Sequence, residues 1–232
     1  MNKLSATAIG VALLLVSCDR SYDKVVATWP DGSPHIVQTM KGKEDKAVKI
    51  GETRYYENGQ KQCEKHYTGE GSRPDGDWSF YYMDGQLFAC ATFAPRTPTG
   101  SNWKFYTPEG NDYDSEGLDS IRVAELGEGE TPATVFFYHG DNTVLRQFYS
   151  IGTLRAEGSL RKGVKEGVWK FFFSNGAPQV EATFVNGREE GTYIVYHENG
   201  TPFYRGMYHE GKRTGTWEVY DKNAELVGKQ EY

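Results

Sequence analysis

The sequence predicts an all-β fold, an elongated meander of antiparallel β-hairpin repeats behind an N-terminal export segment. Three observations predict it. Gly152, Gly176 and Gly200 are spaced 24 residues apart, and Ala224 falls 24 further on. An aromatic pair or near-pair stands just before each of these positions: Phe148-Tyr149, Phe172-Phe173, Tyr196-His197 and Tyr220-Asp221. No stretch of the mature chain holds a helical apolar period over several turns. Self-similarity at a fixed period means stacked copies of one supersecondary unit.

Each unit reads as two strands and two turns. Trp169, Tyr193 and Trp217 stand seven residues before their turn positions. Strand alternation puts Trp169 and Phe171 on one face and Phe172 on the other. Asn175-Gly176 and Asn199-Gly200, with Asn58-Gly59 and Asp84-Gly85, are expected as type I′ turns, whose two central residues need positive φ. On the return strand Val180, Ala182 and Phe184 align with Tyr204, Gly206 and Tyr208. A second glycine set recurs as Gly163 and Gly167, Gly187 and Gly191, Gly211 and Gly215.

Earlier copies are looser. Gly59, Gly85 and Gly110 are 26 and 25 residues apart, with Trp78 and Trp103 seven residues ahead of the last two. Gly32, in Trp29-Pro30-Asp31-Gly32, reads as the turn of a weaker first copy. The 42-residue gap from Gly110 to Gly152 holds an acidic stretch, Glu109 to Glu130, and a strand-like run from Thr134 to Tyr138. The expected organisation is therefore a signal peptide (1–17), a linker with a degenerate first repeat (18–50), repeats (51–110), an acidic insertion (111–133) and further repeats (134–232).

Stacking the units predicts two ladders. Trp78, Trp103, Trp169, Tyr193 and Trp217 form one; Tyr55, Tyr81, Tyr106, Phe148, Phe172, Tyr196 and Tyr220 form the other, on the opposite face. The first is expected to pack. The second is expected to stay partly exposed, and an exposed aromatic stripe is a candidate binding surface.

Composition agrees with a repeat array. Hydrophobic residues make up 38% of the chain, too few for two generous cores, yet aromatics reach 14%, too many for disorder. At the N-terminus Lys3 precedes an apolar run from Ala6 to Val16. That run is shorter than the roughly 20 residues that cross a bilayer, so it reads as an export signal. It closes on Leu15-Val16-Ser17-Cys18, which resembles the lipobox of bacterial lipoproteins. The resemblance implies cleavage before Cys18 and acylation of Cys18 with diacylglycerol and a further chain such as palmitate, enough chains for stable anchoring in the cell envelope. Asp19 follows; in enteric bacteria it would favour the inner membrane, and other phyla sort differently. Beyond residue 17 the chain holds 25 basic and 32 acidic side chains, so nucleic acid is not an expected partner and membrane contact is expected through the lipid alone.

The pattern Y-x-x-G followed by G-x-x-x-G-x-W-x-x-Y resembles the MORN repeat, in particular its bacterial second variant, over roughly residues 50–110 and 145–232. The resemblance implies a scaffold, a dimerisation platform or a lipid-associated module, and some bacterial members of that variant are described as antitoxins. The acidic stretch, the irregular first copies and the export signal depart from it.

No chemistry is legible. The histidines His35, His66, His139, His197 and His209 lack zinc spacing, and no nucleophile elbow, phosphate loop or dinucleotide fingerprint occurs. His197 occupies a position held by Tyr56, Tyr82 and Phe173 in other copies and reads as a repeat substitution. Asp112, Asp114 and Glu116 open like a weak calcium loop with Gly117 at position six, but Val123 holds the twelfth position where a bidentate Glu belongs. Cys63 and Cys90 fall at different offsets from their turn glycines, which sends them to opposite faces as free thiols. The expectation is a membrane-anchored repeat scaffold without catalysis or cofactor, binding a protein or envelope component; the alternative is an antitoxin or immunity protein that neutralises a cognate toxin by direct binding. The C-terminal edge strand, ending in Tyr232, makes a homodimer a further expectation.

Overall fold

Alternating side chains and glycine-marked turns build a continuous antiparallel meander, broken once into two sheets. A computed structural model describes residues 21–232 apart from 70–72, 95–96, 114–117, 119 and 128–130. The expected lipidation site Cys18 and the leader before it lie outside the described residues, as do Asp114 and Glu116. Ser21–Thr28 (β1), Pro34–Lys41 (β2), Val48–Tyr55 (β3), Lys61–His66 (β4), Gly76–Tyr81 (β5), Leu87–Ala94 (β6) and Thr97–Phe105 (β7) form a seven-stranded sheet in sequence order. Ser120–Leu126 (β8), Pro132–His139 (β9), Asn142–Phe148 (β10), Leu154–Arg161 (β11), Val164–Phe172 (β12), Pro178–Val185 (β13), Arg188–Tyr196 (β14), Pro202–His209 (β15), Lys212–Tyr220 (β16) and Leu226–Glu231 (β17) form a ten-stranded sheet, again in sequence order. Among the described residues the helical content is one short 3-10 turn at Glu44–Lys46.

The stretch expected as an acidic insertion contains β8, an edge strand paired with β9 through two register shifts, in which Val123 lies opposite Val135. A polar stretch can still form a strand when alternate positions are apolar, and Ile121 and Val123 supply them, packed on the main core. The end of the expected calcium loop is therefore strand. At the other end, the segment expected to hold a linker and a degenerate first repeat contains β1 and β2, joined through a turn in which Gly32 N–H donates to the Trp29 carbonyl.

The two glycine sets make different turns, and not the ones expected. At Asn175-Gly176 the glycine alone has positive φ, +84°. Gly176 N–H donates to the Phe173 carbonyl and Phe173 N–H to Ala177, the pattern of a three-residue loop with a left-handed glycine at its end. Asn175 instead accepts the Ala177 N–H on its side-chain oxygen. The type I′ geometry appears in the second set, where both central residues have positive φ: Lys162-Gly163 (+52°, +79°), Asn186-Gly187 (+50°, +81°) and Glu210-Gly211 (+49°, +77°). Ala224 takes the left-handed position with φ +64° without being glycine. A left-handed Cβ costs about 1–2 kcal/mol, partly offset by the lower unfolded-state entropy of alanine. Ala224→Gly is thus expected to raise stability by about 0.5 kcal/mol; an unchanged or lower urea midpoint would contradict it.

The core sits where the sheets meet. In the first sheet Cys63, Trp78, Phe80, Ala89, Ala91, Phe93, Trp103 and Phe105 share one face, here the tryptophan face. It packs on β9 and β10 through Val135, Phe137 and Phe148. Phe148 lies 4.8 Å from Phe88 and 5.8 Å from Phe105 between ring centroids. Pairing of Phe137 with Val144, and of Leu145 with Gly158, puts these core residues on the opposite face of the second sheet from its own tryptophans. The tryptophan face of the second sheet carries a separate small cluster of Trp169, Ala182 and Phe184, with Leu145, Leu160, Phe171, Val180 and Tyr193 against it.

Candidate functional site

Cross-strand pairing places the two ladders on opposite faces, and burial separates them. Trp78, Trp103, Trp169 and Trp217 are buried, and Tyr193 is half-buried. Of the candidate stripe, Tyr55, Tyr81, Tyr106, Phe172, Tyr196 and Tyr220 are half-buried. Phe148 is the exception: it has the stripe's register but is buried in the main core, because the first sheet covers the stripe face at that one copy. Phe148 is therefore withdrawn from the candidate surface.

The residue after each stripe position ties one unit to the next. Tyr56 Oη donates to the Tyr81 carbonyl at 2.7 Å, Tyr82 Oη to the Tyr106 carbonyl at 2.6 Å, and Tyr149 Oη to the Phe172 carbonyl at 2.8 Å. His197 takes the same place: its Nε2 lies 3.1 Å from the Tyr220 carbonyl, so Nε2 must carry the hydrogen. His197 is a substitution that keeps the hydrogen bond. Phe173 occupies this position without a hydroxyl. Phe173→Tyr is expected to add the bond to the Tyr196 carbonyl and about 1 kcal/mol of stability; a denaturation midpoint that does not rise would sink the idea.

From β12 onward the tryptophan face gathers its contacts within its own sheet. Lys165 Nζ sits over the rings of Trp169, Phe171 and Phe184 at 4.5, 5.1 and 4.7 Å. One period of two units later Arg213 takes the same register, its guanidinium 4.8 Å from the Trp217 ring and 5.4 and 5.2 Å from those of Tyr204 and Tyr232. Trp217 is completely buried beneath this cover, with Tyr193, Tyr204, Tyr208 and Tyr232 around it. Its Nε1 has no hydrogen-bond partner among the described residues, whereas Nε1 of Trp169 donates to the Ser159 carbonyl. Sequence reading missed these cations; the signal was a residue four before each ladder position, Lys165, Glu189 and Arg213.

On the opposite face, a shallow groove of about 320 Å³ is lined by Thr192, Ile194, Arg205, Met207, Thr216 and Glu218. Tyr220 borders it and is held there: its Oη donates to Glu218 Oε2 at 2.7 Å, and Arg205 lies over its ring at 5.0 Å. Hydrogen bonds from Tyr220, Arg205 and Lys229 keep the Glu218 carboxyl down at about 2, so the network is charged at any physiological pH. This is a mixed polar surface with an apolar floor, suited to recognition rather than to proton transfer.

Among the described residues the two cysteines, Cys63 and Cys90, are free and on opposite faces; burial pushes the Cys63 thiol up to about 11. Among the described residues no cluster of His, Cys, Asp or Glu could hold a metal ion. Asp112 bridges Tyr106 in the backbone ladder, and the rest of the calcium candidate lies outside the described residues.

Comparison with known proteins agrees with this geometry. The family model described as the MORN repeat variant matches residues 52–68, 165–186 and 189–210. The three stretches are the hairpins β3–β4, β12–β13 and β14–β15, so the matched unit is a hairpin closed by the three-residue glycine loop. No curated protein matches the chain.

Proposed function

We propose that this protein is a non-catalytic repeat scaffold, anchored in the cell envelope through acylated Cys18, that binds a protein or envelope partner along its second sheet. One observation carries the reading: from β12 to β17 both faces of the sheet bear aromatic side chains, and the ring contacts among them are all made within that sheet. The tryptophan face of the first sheet, by contrast, is covered by β9 and β10. Half-exposed aromatic surface on a rigid, unpaired layer is what interaction surfaces are made of.

Capture from native envelopes tests it. The full chain is compared with Phe172→Ser/Tyr196→Ser, on the stripe face, and Tyr204→Ser/Tyr208→Ser, on the tryptophan face. A partner retained by the parent and lost by one still-folded variant is expected, and names the face. Capture of nothing, or equal capture by all three, would remove the reading. A single partner that poisons cells unless held would turn it toward an immunity protein. Cys18→Ser is expected to release the chain from the membrane fraction; a variant that stays there would remove the anchor.

A further inference from the structure

The two cation-capped tryptophans form an internal comparison. Around Lys165 the rings are Trp169, Phe171 and Phe184, which carry no hydroxyl, so the ammonium does no more than cover apolar surface. Around Arg213, 48 residues on, hydroxyl-bearing rings stand in the same register: Tyr232 in place of Phe184, Tyr208 in place of Leu160 and Tyr204 in place of Ala156. Three phenol oxygens then converge on one guanidinium. Arg213 Nη1 donates to Tyr204 Oη at 3.1 Å and to Tyr232 Oη at 2.7 Å, and Nε donates to Tyr208 Oη at 3.5 Å.

Donor counting shows what this cluster lacks. Arginine has donors only, so each phenol oxygen is used as an acceptor and each O–H is left to point elsewhere. One of them can be spent on the 3.5 Å contact between Tyr204 and Tyr232. Two O–H groups and Arg213 Nη2 remain without an acceptor among the described residues, on an exposed surface. Arg213 makes no ion pair among the described residues, unlike Arg54, Arg146 and Arg205, each of which holds a glutamate. Glu189, at the same register one unit earlier, forms no ion pair with it either. Spare rotatable donors grouped around one fixed positive charge are the complement of an oxyanion.

We propose that Arg213, Tyr204, Tyr208 and Tyr232 form an oxyanion-binding site on the tryptophan face of the second sheet, one that takes a carboxylate or phosphate group. Arg213 Nη2 supplies the charged donor, the tyrosine hydroxyls supply the rest, and stacking on Trp217 fixes the plane of the fork. For its use by the cell the site rests on the second sheet being the binding surface, and it would then receive the acidic group of the bound partner.

The test uses the full chain in detergent, with arginine Nε–H resonances followed by NMR during titration with inorganic phosphate and, separately, with acetate at constant ionic strength. The Arg213 resonance is expected to shift saturably. Half-saturation should rise roughly tenfold in Tyr204→Phe/Tyr208→Phe, which keeps both rings on Trp217 and loses two charge-region hydrogen bonds. Arg213→Lys keeps the charge and loses the fork, and should weaken binding as well. Tighter phosphate assigns a phosphate-type group and tighter acetate a carboxylate. A shift that follows ionic strength alone, or equal half-saturation in parent and double variant, overturns the site. Anion binding without a captured partner would remove the scaffold reading and leave the site; a captured partner without anion binding would do the reverse.

Discussion

Glu52→Gln is expected to destabilise the first sheet by about 3 kcal/mol at neutral pH, since it removes a carboxylate from a buried cluster of one lysine, a second lysine and an arginine. Lys65 is fully buried on the tryptophan face, its Nζ 3.3 Å from Glu52 Oε1 and 5.3 Å from the centre of the Trp78 ring. Arg54 Nε and Lys49 Nζ complete the cluster at 3.0 and 3.2 Å from the same carboxylate. Burial alone would raise the Glu52 carboxyl, but Lys65, Arg54 and Lys49 outweigh it and hold the group at about 2, against 4.5 ordinarily. The sign of the pH dependence follows. A carboxyl depressed by folding contributes stability that is fully present above 4.5 and is lost as pH falls through that value toward 2.

Urea unfolding followed by tryptophan emission should therefore separate Glu52→Gln from the parent widely at pH 7 and little near the folded value. Adding Lys65→Met to Glu52→Gln should recover part of the loss, because a buried ammonium next to one fewer carboxylate costs more than an apolar side chain of similar length. A difference that is small at pH 7, or equal at both ends of the range, would contradict the account.

The second large effect is Gly206→Ala, expected to cost about 1–3 kcal/mol although alanine ordinarily favours a strand over glycine. A Cβ at Gly206 would stand 2.1 Å from the Trp217 ring, and one at Gly158 would stand 2.2 Å from Trp169. Neither ring can easily retreat, since both are buried in close contact with neighbouring side chains. Between these two units the ladder residue is Tyr193, whose partner on the preceding strand is Ala182 and on the following strand Gly206. Toward the preceding strand, where the rings lean, the second sheet thus sets tryptophan against glycine twice and tyrosine against alanine once, matching ring size to the space beneath it. Gly206→Ala/Trp217→Tyr reproduces the middle unit and should restore much of the stability lost by Gly206→Ala alone. Tyr193→Trp should fail unless combined with Ala182→Gly. Additive losses in either pair would falsify the complementarity.

Much of this was legible in the sequence because it is local. The 24-residue spacing, the alternation of Trp169 and Phe171 against Phe172, and the opposite faces of Cys63 and Cys90 depend on turn residues and on the period of two along a strand. Turn type was read less well. Asn175-Gly176 has the composition of a type I′ turn, yet the loop closes on three residues; the type I′ geometry went to Lys162-Gly163 and Glu210-Gly211, whose first residues carry little signal. Loop length is decided by the register of the strands that the loop joins, and register is a property of both strands together.

By itself, then, the sequence determined an all-β hairpin array, its period and its two aromatic ladders, because each follows from interactions between near neighbours along the chain. Tertiary structure alone decided which parts of those ladders remain available. It split the meander into two sheets, recruited the acidic stretch as strand β8, and laid the first sheet over Phe148 while leaving Phe172, Tyr196 and Tyr220 half-exposed. It also brought Arg213 together with Tyr204, Tyr208 and Tyr232 from two strands, β15 and β16, and the residue beyond β17. The physical reason is the same in each case: identical repeats bury different surfaces once two layers meet at only one place, and only contacts across that packing tell the copies apart.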